Sequence, residues 1–281
     1  MAIITAITNQ KGGVGKTTTA VNLAAGLAIA ERRTLLVDMD PQANASSGTL
    51  GGKPLPEGNV YHALIGEAPA KDLLSETELP YLHVLPSTTD LIGAEIELVA
   101  ELGREQRLRG ALTPLLDAYD HILIDCPPSL GLLTLNALTA AQRVLIPIQA
   151  EYYALEGLGQ LLKTISLVQA HLNPPLDILG VLVTMYDPRN NLAHAVVNEV
   201  KDRFPDALFE TRIPRNIRLS EAPSHGKPIY LYDIGCKGAL RYLRLTEEYL
   251  LRVEGIVPGM DPIEASGERP GELQADDEGS P

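Results

Sequence analysis

Cysteine is nearly absent: Cys126 and Cys236 are the only two in 281 residues, and they stand 110 positions apart. Two distant thiols make no disulfide framework and fit a reducing cytoplasm. No run of 18 apolar residues occurs, and no basic segment leads into an apolar stretch with a cleavage site near the N-terminus. A soluble cytoplasmic protein, with neither a membrane span nor a secretory leader, is the expectation. Positive charge is also scarce: 23 Lys and Arg face 36 Asp and Glu, for a net −13. Taken whole, that charge argues against a nucleic-acid partner. Its distribution changes the reading. Residues 256–281 hold seven acids and one base, whereas residues 189–244 hold ten bases and six acids. A basic patch on an acidic protein gives such a count, and so does mixed charge on solvated helices.

What is present begins near the N-terminus. Asn9-Gln10-Lys11-Gly12-Gly13-Val14-Gly15-Lys16-Thr17-Thr18 lies between a β-branched apolar run, residues 3–7, and an Ala/Leu-rich stretch, residues 19–31, that reads as a helix. Strand, glycine-rich turn, helix is the order a phosphate-binding loop needs. The glycines let successive N–H groups turn inward, the helix offers its positive N-terminus, and Lys16 reaches the β- and γ-phosphates. Thr17 supplies a hydroxyl for Mg²⁺. The plain P-loop pattern would have glycine where Gln10 stands, and Lys11 is a second lysine.

Two further strands end in aspartate. Residues 34–38 lead into Asp38-Met39-Asp40-Pro41-Gln42-Ala43-Asn44, and residues 121–125 lead into Asp125-Cys126-Pro127-Pro128-Ser129. Carboxylates at the carboxyl ends of strands lie where ligands sit in open α/β sheets. Asp125, about 110 residues after the loop, takes the place of the acid that holds Mg²⁺. Asp38 supports the metal shell and Asp40 orients the attacking water. A helix N-cap by Asp38 or Asp40, with Pro41 at the first helical position, would produce the same local sequence.

These motifs resemble those of the ParA/MinD family of P-loop ATPases: the deviant Walker A sequence K-G-G-x-G-K-T-T, D-x-D-P-Q-x-N, and D-x-P-P. Residues 213–226, Ile213-Pro214-Arg215-Asn216 through His225-Gly226, resemble its ParA/Soj branch, and the likeness runs over residues 1–254. It implies a doubly wound, mostly parallel α/β sheet with helices on both faces. It implies ATP and Mg²⁺ bound by the loop from Lys11 through Gly12, Gly13, Val14, Gly15, Lys16, Thr17 and Thr18, with Met185, Pro214 and Asn216 at the adenine. Lys11 then crosses a homodimer interface that forms on ATP binding, joined there by Gly12 and Glu151, and touches the partner's phosphates. Asp40 serves hydrolysis, and Arg189, Arg215 and Arg218 meet nonspecific double-stranded DNA. A ParB-type centromere-binding protein triggers turnover, so that the protein segregates a chromosome or plasmid on the nucleoid. A solvated loop lysine, an exposed loop glutamate and surface arginines are the plainer readings of Lys11, Glu151 and the arginines.

Within the same family, cargo positioning on the nucleoid shares every motif. A membrane-bound division-site ATPase needs a basic amphipathic C-terminal helix, which this acidic end does not offer. An iron–sulfur reductase needs two cysteines poised for a bridging cluster, and Cys126 and Cys236 do not provide them. Nothing before residues 1–7 reads as a helix-turn-helix, so operator recognition is not expected. Residues 45–80 read as a Gly/Pro-rich surface excursion with a short helix at 60–65, residues 105–118 as a helix, and residues 238–253 as a final helix with Leu240, Leu243, Tyr249 and Leu250 facing the core. Residues 255–281 read as an acidic, Gly/Pro-rich tail that buries too little apolar surface to order itself.

Overall fold

The computed structural model describes residues 1–151 and 154–255, with backbone alone at 154–156. The acidic stretch 256–281 lies outside the described residues. Eight strands form one sheet: Ile3–Ile7 (β1), Thr34–Asp38 (β2), Ser75–Glu76 (β3), Leu82–Leu85 (β4), His121–Asp125 (β5), Arg143–Gln149 (β6), Asp177–Tyr186 (β7) and Leu208–Pro214 (β8). Their order is β3-β4-β2-β5-β1-β6-β7-β8, parallel throughout except that β3 runs antiparallel to β4. Parallel neighbours need long crossovers, and the helices that supply them cover both faces.

Alternation along the strands decides which face each side chain serves. Leu35 and Val37, Ile122 and Ile124, and Val144 and Ile146 point to one core, and Leu36, Leu123 and Leu145 to the other. The first core is closed by helices that include Leu132–Ala140, Ala154–His171 and Asn191–Arg203, and the second by Lys16–Ile29 and Lys237–Glu254. Both faces being covered explains why the central strands read as unbroken apolar runs.

Several elements depart from expectation, each for a physical reason. The first helix begins at Lys16, three residues early, because Gly15 at φ 84° already turns the chain into it. Residues 105–118 form no continuous helix: a helix Arg107–Leu112 gives way to a 3-10 turn Thr113–Leu115 with Pro114 at its start, where proline lacks the N–H a longer helix would use. In the last helix the core face is Ala239, Tyr242, Leu245, Thr246, Tyr249 and Leu250. Leu240 is 53% exposed, so the expected stripe was one residue out of phase at that end.

Candidate nucleotide site

The register of the central strands assembles the site. Ile7 of β1 and Asp38 of β2 both pair with Asp125 of β5, so three carboxyl ends lie side by side. The loop after β1 passes over them and returns as the helix Lys16–Ile29. Gly13 and Gly15 hold φ of 74° and 84°, conformations that side-chain-bearing residues rarely adopt. Distant strands pin this loop. Asn9 donates from Nδ2 to the Pro147 carbonyl (2.7 Å) and accepts the Lys11 N–H on Oδ1 (2.9 Å). Thr184 Oγ1 lies 2.8 Å from the Val14 carbonyl and 3.0 Å from that of Ile148. The cradle is therefore held in shape by contacts within the chain itself.

Its charges are buried. Lys16 is 6% exposed and donates from Nζ to the Lys11 carbonyl at 3.1 Å. Burial lowers its pKa, against the opposing fields of Asp125, Cys126 and Asp40. Asp125 is fully buried, and neither carboxylate oxygen has a hydrogen-bond partner of normal geometry. Burial first, then the charge of Asp38, push its pKa well above the usual 3.8, while the Thr17 hydroxyl and Lys16 pull it back. Asp38 is equally buried but spoken for. It accepts from Ser46 N–H (2.8 Å), Ser46 Oγ (2.7 Å) and Asp40 N–H (3.1 Å). Burial outweighs those bonds and raises its pKa to about 6. Asp40 is 8% exposed and accepts the Gln42 N–H at 2.9 Å. The Cys126 thiol is pushed up by burial and packs as a small core residue.

An orphaned buried carboxylate beside a threonine hydroxyl is a donor set suited to a hard divalent cation. Asp125 and Thr17 therefore fit Mg²⁺ when phosphate and water supply the other oxygens. Among the described residues no group of three or more His, Cys, Asp or Glu would cage a metal by protein alone. Asp38, held by Ser46, bears on such an ion through its field.

Beside the loop a cavity of about 230 Å³ is lined by Gly15, Thr18, Met185, Pro214, Asn216 and Tyr242, among others. The three residues expected at the adenine thus meet around one space next to the phosphate loop. Met185 has φ 50° at the end of β7, and Ala43 φ 52° just after Asp40. Positive φ at non-glycine residues is strained, and such strain collects at working sites. Asn216 Oδ1 caps the helix Ile217–Glu221 by accepting the Arg218 N–H at 2.8 Å.

The remaining expected residues lie on the rim. Gly12 is exposed. Lys11, with its side chain 34% exposed, pairs through Nζ with Glu151 Oε2 at 3.0 Å. Arg189 pairs with Asp187 (2.8 Å), and Arg218 pairs with Glu221 (2.8 Å) and Asp233 (3.4 Å). Arg215 is exposed and has no ion pair among the described residues. Ser46 and Thr184 were not anticipated. Ser46 sits in the stretch read as a surface excursion, where no local signal points to it. Thr184 is one threonine in an apolar strand, legible only once β6, β7 and the loop are brought together.

A family model described as an AAA domain matches residues 1–178. The chromosome partitioning protein ParA of Myxococcus xanthus (strain DK1622) is 61% identical over 249 residues, covering 89% of this chain and 88% of the relative. The sporulation initiation inhibitor protein Soj of Bacillus subtilis (strain 168) is 58% identical over 248 residues, 88% of this chain and 98% of the relative. Among solved structures, one described as cobyrinic acid a,c-diamide synthase from Mycobacterium smegmatis with bound ADP and magnesium superposes with a TM-score of 0.78 at 39% identity, covering 93% of this chain and 100% of that chain. With the loop, the sheet order and the identity all agreeing over most of its length, the chain belongs to the ParA/Soj family of chromosome-partitioning P-loop ATPases.

Proposed function

We propose that the chain is an ATP-dependent dimerisation switch that binds double-stranded DNA nonspecifically and hydrolyses ATP when a ParB-type protein engages it, so moving a chromosome or plasmid. The observation that carries this reading is the division of labour between two lysines. Lys16 is buried and bonded within its own loop, while Lys11, on the same loop, is partly exposed and paired with Glu151. A second cation at the rim serves a site other than its own, as a finger supplied across an interface does.

In the proposed mechanism the N–H groups of residues 12–18 and Lys16 Nζ hold the β- and γ-phosphates, and residues 185, 214 and 216 enclose the base. Asp125 and Thr17 hold Mg²⁺, which when bound offsets phosphate charge. Asp40 accepts a hydrogen bond from the attacking water and aligns it. Lys11 of a second copy adds positive charge where phosphoryl transfer spreads negative charge. Turnover is slow until the assembly forms, because the group from the second copy must first be in place. Arg215 is the foremost DNA candidate, since Arg189 and Arg218 must first leave their carboxylates.

The test is a DNA titration with ATP, with ADP and without nucleotide, at two salt concentrations, alongside Arg215→Ala. Binding that requires ATP, weakens with salt and loses roughly one to two from its log–log salt slope in the variant supports the reading. Indifference to DNA in every nucleotide state refutes it.

A further inference from the structure

The last helix, Lys237–Glu254, keeps one face out of the core. Lys237, Leu240, Arg241 and Arg244 follow one another at helical spacing along that side, and all four are exposed. With Tyr186 and the edge strand β8 they wall an open groove of about 940 Å³. A leucine set among cations suits an occupant that joins an apolar anchor to negative charge.

The charges of the groove do not balance. Four bases line it, Arg212, Lys237, Arg241 and Arg244, against two acids, Glu210 and Glu247. Arg244 pairs with Glu247 at 3.2 Å, and Arg212 donates to Tyr186 Oη at 3.1 Å with its guanidinium 4.9 Å from the centre of that ring. Other acids nearby are taken. Glu248 pairs with Arg252 and accepts the N–H groups of Glu210 and Thr211, Asp187 pairs with Arg189, and Asp233 pairs with Arg218. Arg212, Lys237 and Arg241, none with an ion pair among the described residues, therefore face Glu210 alone. A second copy presenting the same face would set cation against cation, which is unfavourable.

The chain itself carries the complement. Residues 256–281 hold seven acids and one base, and four of those acids, Glu272, Asp276, Asp277 and Glu278, stand close together in sequence beside Leu273. This stretch starts from a fixed point. Glu254, the last residue of the helix, is bonded by Arg32 (3.1 Å) and His121 (2.7 Å), and Gly255 at φ 70° turns the chain out of the helix. Glu254 lies about 21 Å along the helix from Leu240, whereas residues 256–271 can span up to about 55 Å. The acids at 272–278 thus reach the groove with length to spare.

We propose that residues 272–278 dock in the groove of their own chain, with Leu273 against Leu240 and the carboxylates against Arg212, Lys237 and Arg241. Docked there, they screen the groove from other polyanions. The contact needs neither DNA nor a partner protein.

The test is carbodiimide crosslinking of the full chain at about 0.05 M salt, which joins a lysine amine to a carboxylate touching it, read by mass spectrometry after chymotryptic digestion. Lys237 should join residues 272–278 at least about fivefold more than the exposed Lys71 and Lys163 do. The yield at Lys237 should fall about fivefold in Arg241→Ser/Arg244→Ser, which keeps the reacting amine, and should fall in the parent at about 0.5 M salt. A thermal melt confirms that the double variant is folded. Equal yields at the three lysines, or a yield unchanged by salt and by the double substitution, overturn the proposal. A mixture of isotope-labelled and unlabelled chains reads whose stretch is docked: crosslinks joining labelled to unlabelled peptides would put another copy's acids in the groove and overturn docking within one chain.

Discussion

Replacing Asp125 by asparagine should stabilise the protein without ligand and disable it with ligand. The parent keeps a fully buried carboxylate with no hydrogen-bond partner beside the equally buried Asp38. An unpaired buried charge costs about 3–5 kcal/mol, and Lys16 with Thr17 returns part of it, so the relief on neutralisation is about 2 kcal/mol. At about 2–4 °C per kcal/mol for a domain of this size, the melting temperature without nucleotide or Mg²⁺ should rise by about 4–8 °C at pH 7.5. The pH dependence fixes the sign. The folded-state pKa of Asp125 lies above the usual 3.8, so its protonated form supports the fold at low pH, and that support is lost as pH rises through the raised value. The advantage of Asp125→Asn should therefore vanish below about pH 4 and grow with pH; groups remote from Asp125 titrate alike in both proteins and cancel, whereas Asp38 and Lys16, which interact with it, contribute to the difference. Adding ATP and Mg²⁺ should raise the parent's melting temperature and leave the variant's nearly unchanged. A variant less stable than the parent at pH 7.5, or an advantage that persists undiminished at pH 4, would refute the view of Asp125 as an orphaned charge awaiting a cation.

Three further outcomes are expected. Lys16→Ala should lose ATP binding in an equilibrium titration, while Asp40→Ala should still bind ATP and form dimers but show little turnover in a phosphate-release assay; turnover at the parental rate would remove Asp40 from the water-orienting role. Ser46→Ala deletes a hydroxyl bond to the buried Asp38 carboxylate and an acceptor for the Ser87 N–H, and should cost about 2–3 kcal/mol in urea unfolding with an unchanged slope. Glu151→Gln releases Lys11 from an exposed ion pair worth less than about 1 kcal/mol, so ATP-dependent dimerisation measured by sedimentation should change by no more than about fivefold. A larger gain would make the pair a restraint on dimerisation.

Much of the fold was legible because its signals are local. β-branched runs marked β1, β2 and β5, and the expected bounds of the helix Val60–Ile65 match those observed. β8 escaped notice because its sequence, Leu-Phe-Glu-Thr-Arg-Ile-Pro, alternates weakly and leads straight into the I-P-R-N turn. The two-residue β3 is too short to carry any period. The arginines near residues 189 and 218 read as free positive charge, yet each pairs with a carboxylate that the chain folds beside it.

By itself the sequence determined the phosphate loop, the two aspartate-ended strands and the order of βα units, because glycine conformations and side-chain periods are properties of a few consecutive residues. Tertiary structure alone decided which charges are satisfied. Asp38 and Asp125 look alike in sequence, each the last residue of an apolar strand, and they pair in register. Ser46 bonds the first, whereas neither oxygen of the second has a hydrogen-bond partner of normal geometry. That difference depends on where a loop eight residues away returns. The same holds for the cavity beside the phosphate loop, which gathers Gly15, Met185, Asn216 and Tyr242 from four separate parts of the chain. Satisfaction of a buried polar group depends on every chain segment that comes within bonding distance, and such contacts between remote residues leave no local pattern.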